Sequence, residues 1–183
     1  KIRRAVQRLT LLVVNCLAED RLHADRVVLK AEPIDLRALI ETMLQSLGPA
    51  DRARVRLALP GDAVPLRGDR ALLEIALHNL VQNALKYSPT ARDVGISLVV
   101  RDRIAWVDVE DHGEGIPADE QTRIFERFFR GADSHRASGT GLGLFLCSEI
   151  ARGHHGTVVL LRSDARGSVF RFELPLLHGP AAH

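Results

Sequence analysis

The sequence contains no apolar run that approaches the roughly 18 residues needed to cross a membrane as a helix. It has only two cysteines, Cys16 and Cys147, each in an apolar helical pattern without zinc-ligand spacing, so we expect small core residues. An excess of one charge is also missing, since 25 Lys and Arg stand against 23 Asp and Glu. The basic residues are scattered, which gives no indication of nucleic-acid binding. Arg3, Arg4 and Arg8 exclude a signal-peptide core at the start.

The hydrophobic spacing predicts one domain with an additional helix. Residues 1–24 form a helical pattern whose apolar positions recur at spacings of four and three, as in the seam of a coiled coil or four-helix bundle. A core helix of the same domain is the alternative, because further leucines and valines widen the apolar face. The 183 residues, 46% of them hydrophobic, suffice for this helix plus one well-cored domain over residues 25–177. Residues 178–183 are expected to be a disordered tail.

The remaining pattern mixes strands and helices without a regular βαβ repeat. Residues 27–34 predict a short strand ended by Pro33, and Asp35 is expected to cap a helix that stops at Gly48-Pro49. A long helix is predicted to start at Asp69. The other predicted elements are a strand over 54–59, a hairpin of strands 94–100 and 104–110, a short helix at 117–123, a mobile polar segment at 130–139, a helix over 141–152, and a closing strand pair, 157–161 and 168–174. The fold class is therefore α+β, a two-layer α/β sandwich with a mixed sheet of about five strands and three helices on one face.

A polar stripe lies along the predicted long helix. Asn79, Asn83 and Lys86 recur at spacings of four and three, away from the apolar face. Asn offers a neutral oxygen suited to a Mg²⁺ ion that phosphates already coordinate, and Lys supplies a compact positive charge to those phosphates. A solvated helix face is the alternative interpretation. Two asparagines in mid-helix weaken that alternative, because Asn is a poor helix former.

A first glycine-containing loop follows the predicted hairpin. Asp111 stands at a strand end and is followed by Gly113 and Gly115, which let the backbone pass close to a flat ligand. A carboxylate there can accept a hydrogen bond from the exocyclic amine of adenine. A surface turn is the alternative, because turns use the same residue types.

A second glycine-rich loop, residues 139–144, leads directly into a predicted helix. Unpaired amides and the positive end of the helix dipole would there face an anion such as a triphosphate. The loop has neither the spacing of the dinucleotide fingerprint nor the Lys-Ser/Thr pair of a P-loop. A helix C-cap or a turn is the alternative.

Together these motifs resemble the ATP-binding catalytic domain of bacterial sensor histidine kinases, part of the wider family that includes gyrase, the Hsp90 chaperones and MutL. The resemblance covers residues 27–176, and its four boxes occur in the family's order. They are the N box at 79–89, the G1 box at 111–117, the F box at 124–130 and the G2 box at 139–143.

The resemblance implies a Bergerat-type ATP-binding fold with ATP and Mg²⁺ as cofactors. It makes Asn83 the Mg²⁺ ligand, Asn79 and Lys86 contacts on the phosphate side, Tyr87 a ring against the adenine, and Asp111 the acceptor of its amine. Three residues are implied in catalysis: Asn79, Lys86 and Arg130, the last through the γ-phosphate. The remaining implied nucleotide contacts are Gly113, Gly115, Ile116, Gly139, Thr140, Gly141, Leu142 and Gly143. The F-box rings, Phe125, Phe128 and Phe129, are expected to be core or to anchor the mobile segment at 130–139 as a lid.

The resemblance also implies a kinase rather than a hydrolase. The related ATPases carry a water-activating Glu four positions before the metal-binding Asn, where this sequence has Asn79, and an amide cannot act as a general base. The phosphoryl acceptor of the family, a histidine followed by an acid and Arg-Thr-Pro, occurs nowhere in the sequence. His23 and His78 lack those neighbours. Residues 1–24 resemble the second helix of the dimerisation bundle, so the chain is expected to be a fragment that lacks its phosphoacceptor histidine.

The implied partners are the phosphoacceptor helix of the parent kinase, a response-regulator receiver domain and, in the full-length protein, a second copy of the kinase. The fragment itself is expected to be monomeric, and no nucleic acid is implied. We expect a cytoplasmic domain whose parent is anchored in the bacterial inner membrane. Two alternatives remain, a nucleotide-gated interaction module without kinase activity and a serine kinase of the anti-sigma type.

Overall fold

The computed structural model describes residues 29–131 and 140–176. The predicted bundle helix, the tail and most of the polar segment at 130–139 lie outside the described residues, as does Cys16. The described elements, in chain order, are β1 (Glu32–Asp35), α1 (Leu36–Gln45), α2 (Pro49–Ala53), β2 (Val55–Ala58), β3 (Pro65–Gly68), α3 (Arg70–Tyr87), β4 (Val94–Arg101), β5 (Ile104–Glu110), α4 (Gly143–Gly153), β6 (Thr157–Asp164) and β7 (Gly167–Pro175).

The main sheet has five strands in the order β2-β4-β5-β7-β6. Strands β2 and β4 run parallel, whereas the other neighbouring pairs are antiparallel. Strands β1 and β3 form a separate antiparallel pair. The mixed five-stranded sheet of the predicted α+β class is therefore confirmed.

One face of this sheet is buried under helices because its strands alternate apolar and polar residues. Leu98, Val107, Phe172 and Val158 lie side by side across four strands, and all four are buried. Helices α3 and α4 pack against this face and against each other, and α1 packs on α3. Cys147 on α4 is fully buried, as predicted. The result is the predicted two-layer sandwich with helices on one face. None of the described helices is both long and apolar enough to cross a membrane.

The β4–β5 hairpin places Asp111 at the end of its second strand, as predicted. Its turn consists of two residues, Asp102 and Arg103, with φ angles of 49° and 64°. Two successive residues in the left-handed region are typical of the type I′ turn, whose twist matches that of the flanking strands. Asp111 immediately follows the last residue of β5.

In the first part of the chain, the predictions for the first strand and for Pro49 were wrong, and one strand was missed. Residues 29–31 lie outside the first strand, which covers Glu32–Asp35, and Pro33 lies inside it, opposite Arg67. Proline is tolerated there because each strand of a two-stranded sheet has a free edge. Strand β3, the partner of β1, was not predicted. Pro49 was read as part of a helix stop, but it starts the short helix α2, where its missing N–H costs nothing.

Two predicted helix boundaries also differ. Residues 118–123 form consecutive turns rather than a helix. Arg123 N donates to Glu120 O and Glu126 N donates to Arg123 O, both at 2.8 Å. These bonds span three residues, so the segment does not continue as an α-helical ladder. Helix α4 begins at Gly143 rather than at Gly141.

His154 joins the end of α4 to the start of α3. Its Nε2 accepts a hydrogen bond from Asp69 N at 2.9 Å, and its Nδ1 lies 2.7 Å from Ile150 O. Because Nε2 accepts, the imidazole is neutral and Nδ1 is the donor to the carbonyl. The Asp69 carboxylate in turn caps α3 by accepting from Leu72 N at 3.1 Å.

Acidification is expected to destabilise the fold through His154. Burial holds the pKa of His154 below the ordinary histidine value of 6.5, so the unfolded chain takes up a proton before the native chain does. The contribution of the neutral ring is therefore complete above pH 6.5 and is lost as the pH falls below that value. Urea titrations at about pH 7.5 and about pH 5.5 should show a larger drop in unfolding free energy for the wild type than for His154→Gln. Equal drops would contradict the prediction. His78, whose pKa burial also lowers, is present in both proteins and cancels.

Candidate functional site

The asparagine stripe of α3 faces the N-terminus of α4. A methyl group placed on Gly143 would lie 3.7 Å from Asn79 Oδ1 and 3.8 Å from Asn83 Nδ2. Both amides therefore line the space beside the first turn of α4. The residue that precedes this helix, Leu142, provides no side-chain cap, so the amides of the first turn and the positive end of the dipole are available to an anion. The structure thus brings together the two motifs that the sequence placed 60 residues apart.

Gly141 allows the backbone conformation of the second glycine loop. Its φ of +73° is in the region that favours glycine, and a methyl group there would lie 2.6 Å from the Phe128 carbonyl carbon and 2.7 Å from Phe129 O. The loop therefore packs on the backbone of the F box. Thr140 is exposed, and Gly139 lies outside the described residues.

Lys86 and Tyr87 end α3 and are both exposed. Lys86 Nζ donates to Tyr87 Oη at 3.1 Å and lies 4.6 Å from the centre of its ring. The main chain of Tyr87 contacts the first glycine loop, because a methyl group on Gly113 would lie 3.0 Å from Tyr87 O. The end of α3 and the loop after β5 are thus neighbours, whereas the Lys86 side chain packs on the tyrosine ring.

Asp111 is nearly buried, with 6% of its surface exposed. Its Oδ1 accepts two backbone hydrogen bonds, from Gly113 N at 2.8 Å and from Ser168 N at 3.1 Å. Burial raises the pKa of Asp111 above its ordinary value, and the two N–H donors oppose that rise. The structure therefore presents a carboxylate that is fixed by two hydrogen bonds and largely shielded from solvent.

The rest of the first glycine loop packs on the β6–β7 hairpin. Ile116 N donates to Ser163 Oγ at 2.7 Å, and Gly115 lies directly against Asp164 O. Gly167, with a φ of +122°, lies against Asp111 O so closely that a side chain would collide with the backbone. The first glycine loop is thus held by a hairpin that is distant in sequence, since Ile116 and Ser163 are separated by 47 positions.

The F box behaves only partly as predicted. Phe125 is half-buried and packs edge-to-face on Phe170, with ring centres 6.4 Å apart. Phe128 is 59% exposed and has a φ of +61°, so the core interpretation is wrong for this ring. Arg130 is exposed. It lines a surface cavity of about 520 Å³ together with Asp119, Glu120, Arg123, Glu126, Arg127, Phe128 and Phe129.

Sequence reasoning missed Arg54, which holds the segment after α3. Its guanidinium donates to Leu85 O at 3.2 Å, to Ser88 O at 3.2 Å and to Pro89 O at 2.9 Å. Ser88 Oγ in turn accepts from His112 N at 2.9 Å. Arg54 thereby supports the contact between the N box and the G1 loop. No local pattern could have revealed this role, because the partners of Arg54 lie 31 to 38 residues away.

Within residues 29–131 and 140–176, no group of three His, Cys, Asp or Glu side chains could hold a metal ion. The candidate oxygen ligands beside α4 are instead the amides of Asn79 and Asn83. Neutral amide oxygens suit Mg²⁺ when anionic oxygens of a ligand complete its shell.

The family model for histidine kinase-, DNA gyrase B- and HSP90-like ATPases matches residues 68–178. Sensor protein KdpD of Escherichia coli (strain K12) is 33% identical over 180 residues, which are 98% of this chain and 20% of that protein. Sensor-like histidine kinase SenX3 of Mycolicibacterium smegmatis is 42% identical over 118 residues, which are 63% of this chain and 31% of that protein. The chain thus spans a fifth to a third of the length of these curated relatives.

Solved structures agree. The mycobacterial sensor histidine kinase MprB matches with a TM-score of 0.67 and 29% identity, over 80% of this chain and 97% of that one. Full-length ShkA in complex with AMPPNP matches with a TM-score of 0.75 and 26% identity, over 98% of this chain and 38% of that one. The resemblance to sensor histidine kinases is confirmed, and the chain belongs to the family of histidine kinase-, DNA gyrase B- and HSP90-like ATPases.

Proposed function

We propose that this domain binds Mg²⁺-ATP between α3 and the N-terminus of α4 and transfers the γ-phosphoryl to a histidine in another segment of its parent sensor kinase. The phosphoryl would then pass to an aspartate of a response regulator. The observation that carries the proposal is the position of Asn79 and Asn83 beside Gly143, at a helix N-terminus without a side-chain cap. The names of the relatives support it, and so does the nucleotide analogue in the ShkA complex.

The site would hold the two ends of the nucleotide differently. At the adenine end, Asp111 would accept a hydrogen bond from the exocyclic amine. The backbone of Gly113, Gly115 and Ile116 would contact the base, and the Tyr87 ring would pack against it. At the phosphate end, the loop 139–143 would donate its amides, and Asn79 and Lys86 would contact phosphate oxygens. Lys86 packs on Tyr87, so this role requires its side chain to turn away from the ring. Asn83 would hold Mg²⁺, which neutralises charge on the transferred group.

The transfer itself needs little covalent chemistry from these residues. A neutral imidazole nitrogen of the acceptor attacks the γ-phosphorus, a new N–P bond forms, and the bond to the β,γ-bridging oxygen breaks as ADP leaves. Arg130 would contact the γ-phosphoryl during this step. The amide of Asn79 cannot deprotonate water, so hydrolysis should be slow compared with transfer to a positioned imidazole.

Reconstitution in trans tests the proposal. The chain is mixed with Mg²⁺, γ-labelled ATP and a separate helical fragment that carries a His-acid-Arg-Thr-Pro segment. Acid-labile label on the histidine of that fragment is expected, and a fragment with His→Gln at this position serves as the control. Nucleotide binding without transfer would favour the interaction-module alternative, and acid-stable label would indicate a serine kinase. Either result would overturn the proposed activity.

A further inference from the structure

Two serines connect the first glycine loop to Asp111. Ser163 on β6 and Ser168 on β7 face each other, with their Oγ atoms 2.9 Å apart. Ser163 Oγ accepts from Ile116 N at 2.7 Å, and Ser168 N donates to Asp111 Oδ1 at 3.1 Å. Ser168 is buried, with 2% of its surface exposed, and Ser163 is half-buried. The pair therefore lies between the loop and the carboxylate.

Each serine of this pair connects to a different part of the site. Ser163 Oγ accepts the Ile116 N–H and also meets Ser168 Oγ, so its hydroxyl links the loop to β7. Ser168 reaches Asp111 through its main-chain N–H, which donates to Oδ1. Because Ser168 is buried, the bond to Ser163 holds its side chain in place. The chain of contacts thus runs from Ile116 N through Ser163 and Ser168 to Asp111.

This chain determines how the carboxylate is presented. The two backbone N–H groups at Asp111 both donate to Oδ1, so neither of them engages Oδ2. Without the Ser163 hydroxyl, the buried Ser168 hydroxyl loses its partner, and Ser168 must move to satisfy it. The Ile116 N–H at the same time loses its acceptor. Both the carboxylate and the loop opposite it would then be free to shift.

We propose that Ser163 is a positioning residue that determines the preference of this site for a 6-amino purine, acting through Ser168 on Asp111. The inference rests on the proposed function, because it assumes that Asp111 meets the base. Ser163 itself does not contact the nucleotide. Its hydroxyl holds the Asp111 carboxylate and the Ile116 backbone at a fixed separation. A purine with an amine at C6 can donate a hydrogen bond to that carboxylate.

The test compares three nucleotides by titration calorimetry in the presence of Mg²⁺: ATP, inosine triphosphate with an oxygen at C6, and purine riboside triphosphate with only hydrogen there. For Ser163→Ala we expect ATP affinity to fall about fivefold, the effect of one net hydrogen bond. The affinity for purine riboside triphosphate should change by less than about twofold. The preference for ATP over inosine triphosphate should therefore shrink.

Two further variants make the result specific. Ser163→Thr keeps the hydroxyl and is expected to restore the preference for ATP. Ser97→Ala is the matched control, since Ser97 lies on β4 opposite Asp108, on the sheet face away from the core. An equal loss for all three nucleotides, or an unchanged preference, would overturn the inference while leaving the proposed function intact. If the wild type bound none of them, the proposed function would fail and the inference with it.

Discussion

Asp111→Asn is expected to reverse the base preference of the site. Gly113 N and Ser168 N both donate to one oxygen of the native carboxylate, and they will require an oxygen at the same place in the variant. The amide nitrogen must then occupy the position of Oδ2. An N–H₂ group there faces the amine of adenine, donor against donor, but it can donate to the oxygen at C6 of inosine triphosphate.

The expected loss of ATP affinity follows from the hydrogen bond that is removed. A hydrogen bond to a charged group contributes about 1.5–3 kcal/mol, so the affinity for ATP should fall about 10- to 100-fold. The affinity for inosine triphosphate should fall less or rise. Binding of both nucleotides is measured by calorimetry in Mg²⁺.

Glu114→Gln is the matched control for this change. Glu114 is an exposed acid in the same loop, so its replacement removes the same unit of charge without touching the buried acceptor. We expect its affinity for ATP to stay within about twofold of the wild type, as for most surface substitutions. If both variants lost the same affinity for ATP, the loss would come from the change in charge near the site. The assignment of Asp111 as the acceptor for the base would then be wrong.

Asn83→Ala is expected to remove the dependence of nucleotide binding on Mg²⁺. The wild type should bind an ATP analogue more tightly in Mg²⁺ than in chelator, whereas the variant should bind it equally in both. Because Mg²⁺ contributes several kcal/mol to a phosphoryl-transfer transition state, transfer to the histidine fragment should fall by about 10³-fold or more. Unfolding would not explain this loss, since Ala is a better helix former than Asn.

Gln82→Ala provides the control for the metal prediction. Gln82 is half-buried like Asn83 and precedes it on the same helix, but it is about 100° away around the helix axis. It should keep both the Mg²⁺ dependence and the transfer. A variant at Asn83 that still bound the analogue more tightly in Mg²⁺ would contradict the metal assignment.

Local patterns predicted most of the elements because their causes are local. The asparagine stripe of α3 and its N-cap, Asp69, depend on helical spacing and on one capping bond, which a sequence displays directly. The turn at Asp102 and Arg103 could be predicted because buried and less buried residues alternate in the strands before and after it. The predictions were wrong where the conformation or burial of a residue depends on a neighbour that is distant in sequence. Pro33 stays in a strand because β3 pairs with only one of its edges, and Phe128 is exposed although it belongs to a run of aromatic residues.

By itself, the sequence determined the fold class, the four boxes and the family, since each rests on periodicity, glycines or an ordered set of short motifs. It also placed Asn79 where a hydrolase would have an acid. Only the tertiary structure decided how the boxes are supported. The bond from Ser168 to Asp111 spans 57 positions, and the bond from Asp69 to His154 spans 85. These contacts exist because β7 lies between β5 and β6 and because α4 packs on α3. Such proximity is a property of strand order and helix packing, which residue spacing along the chain does not encode.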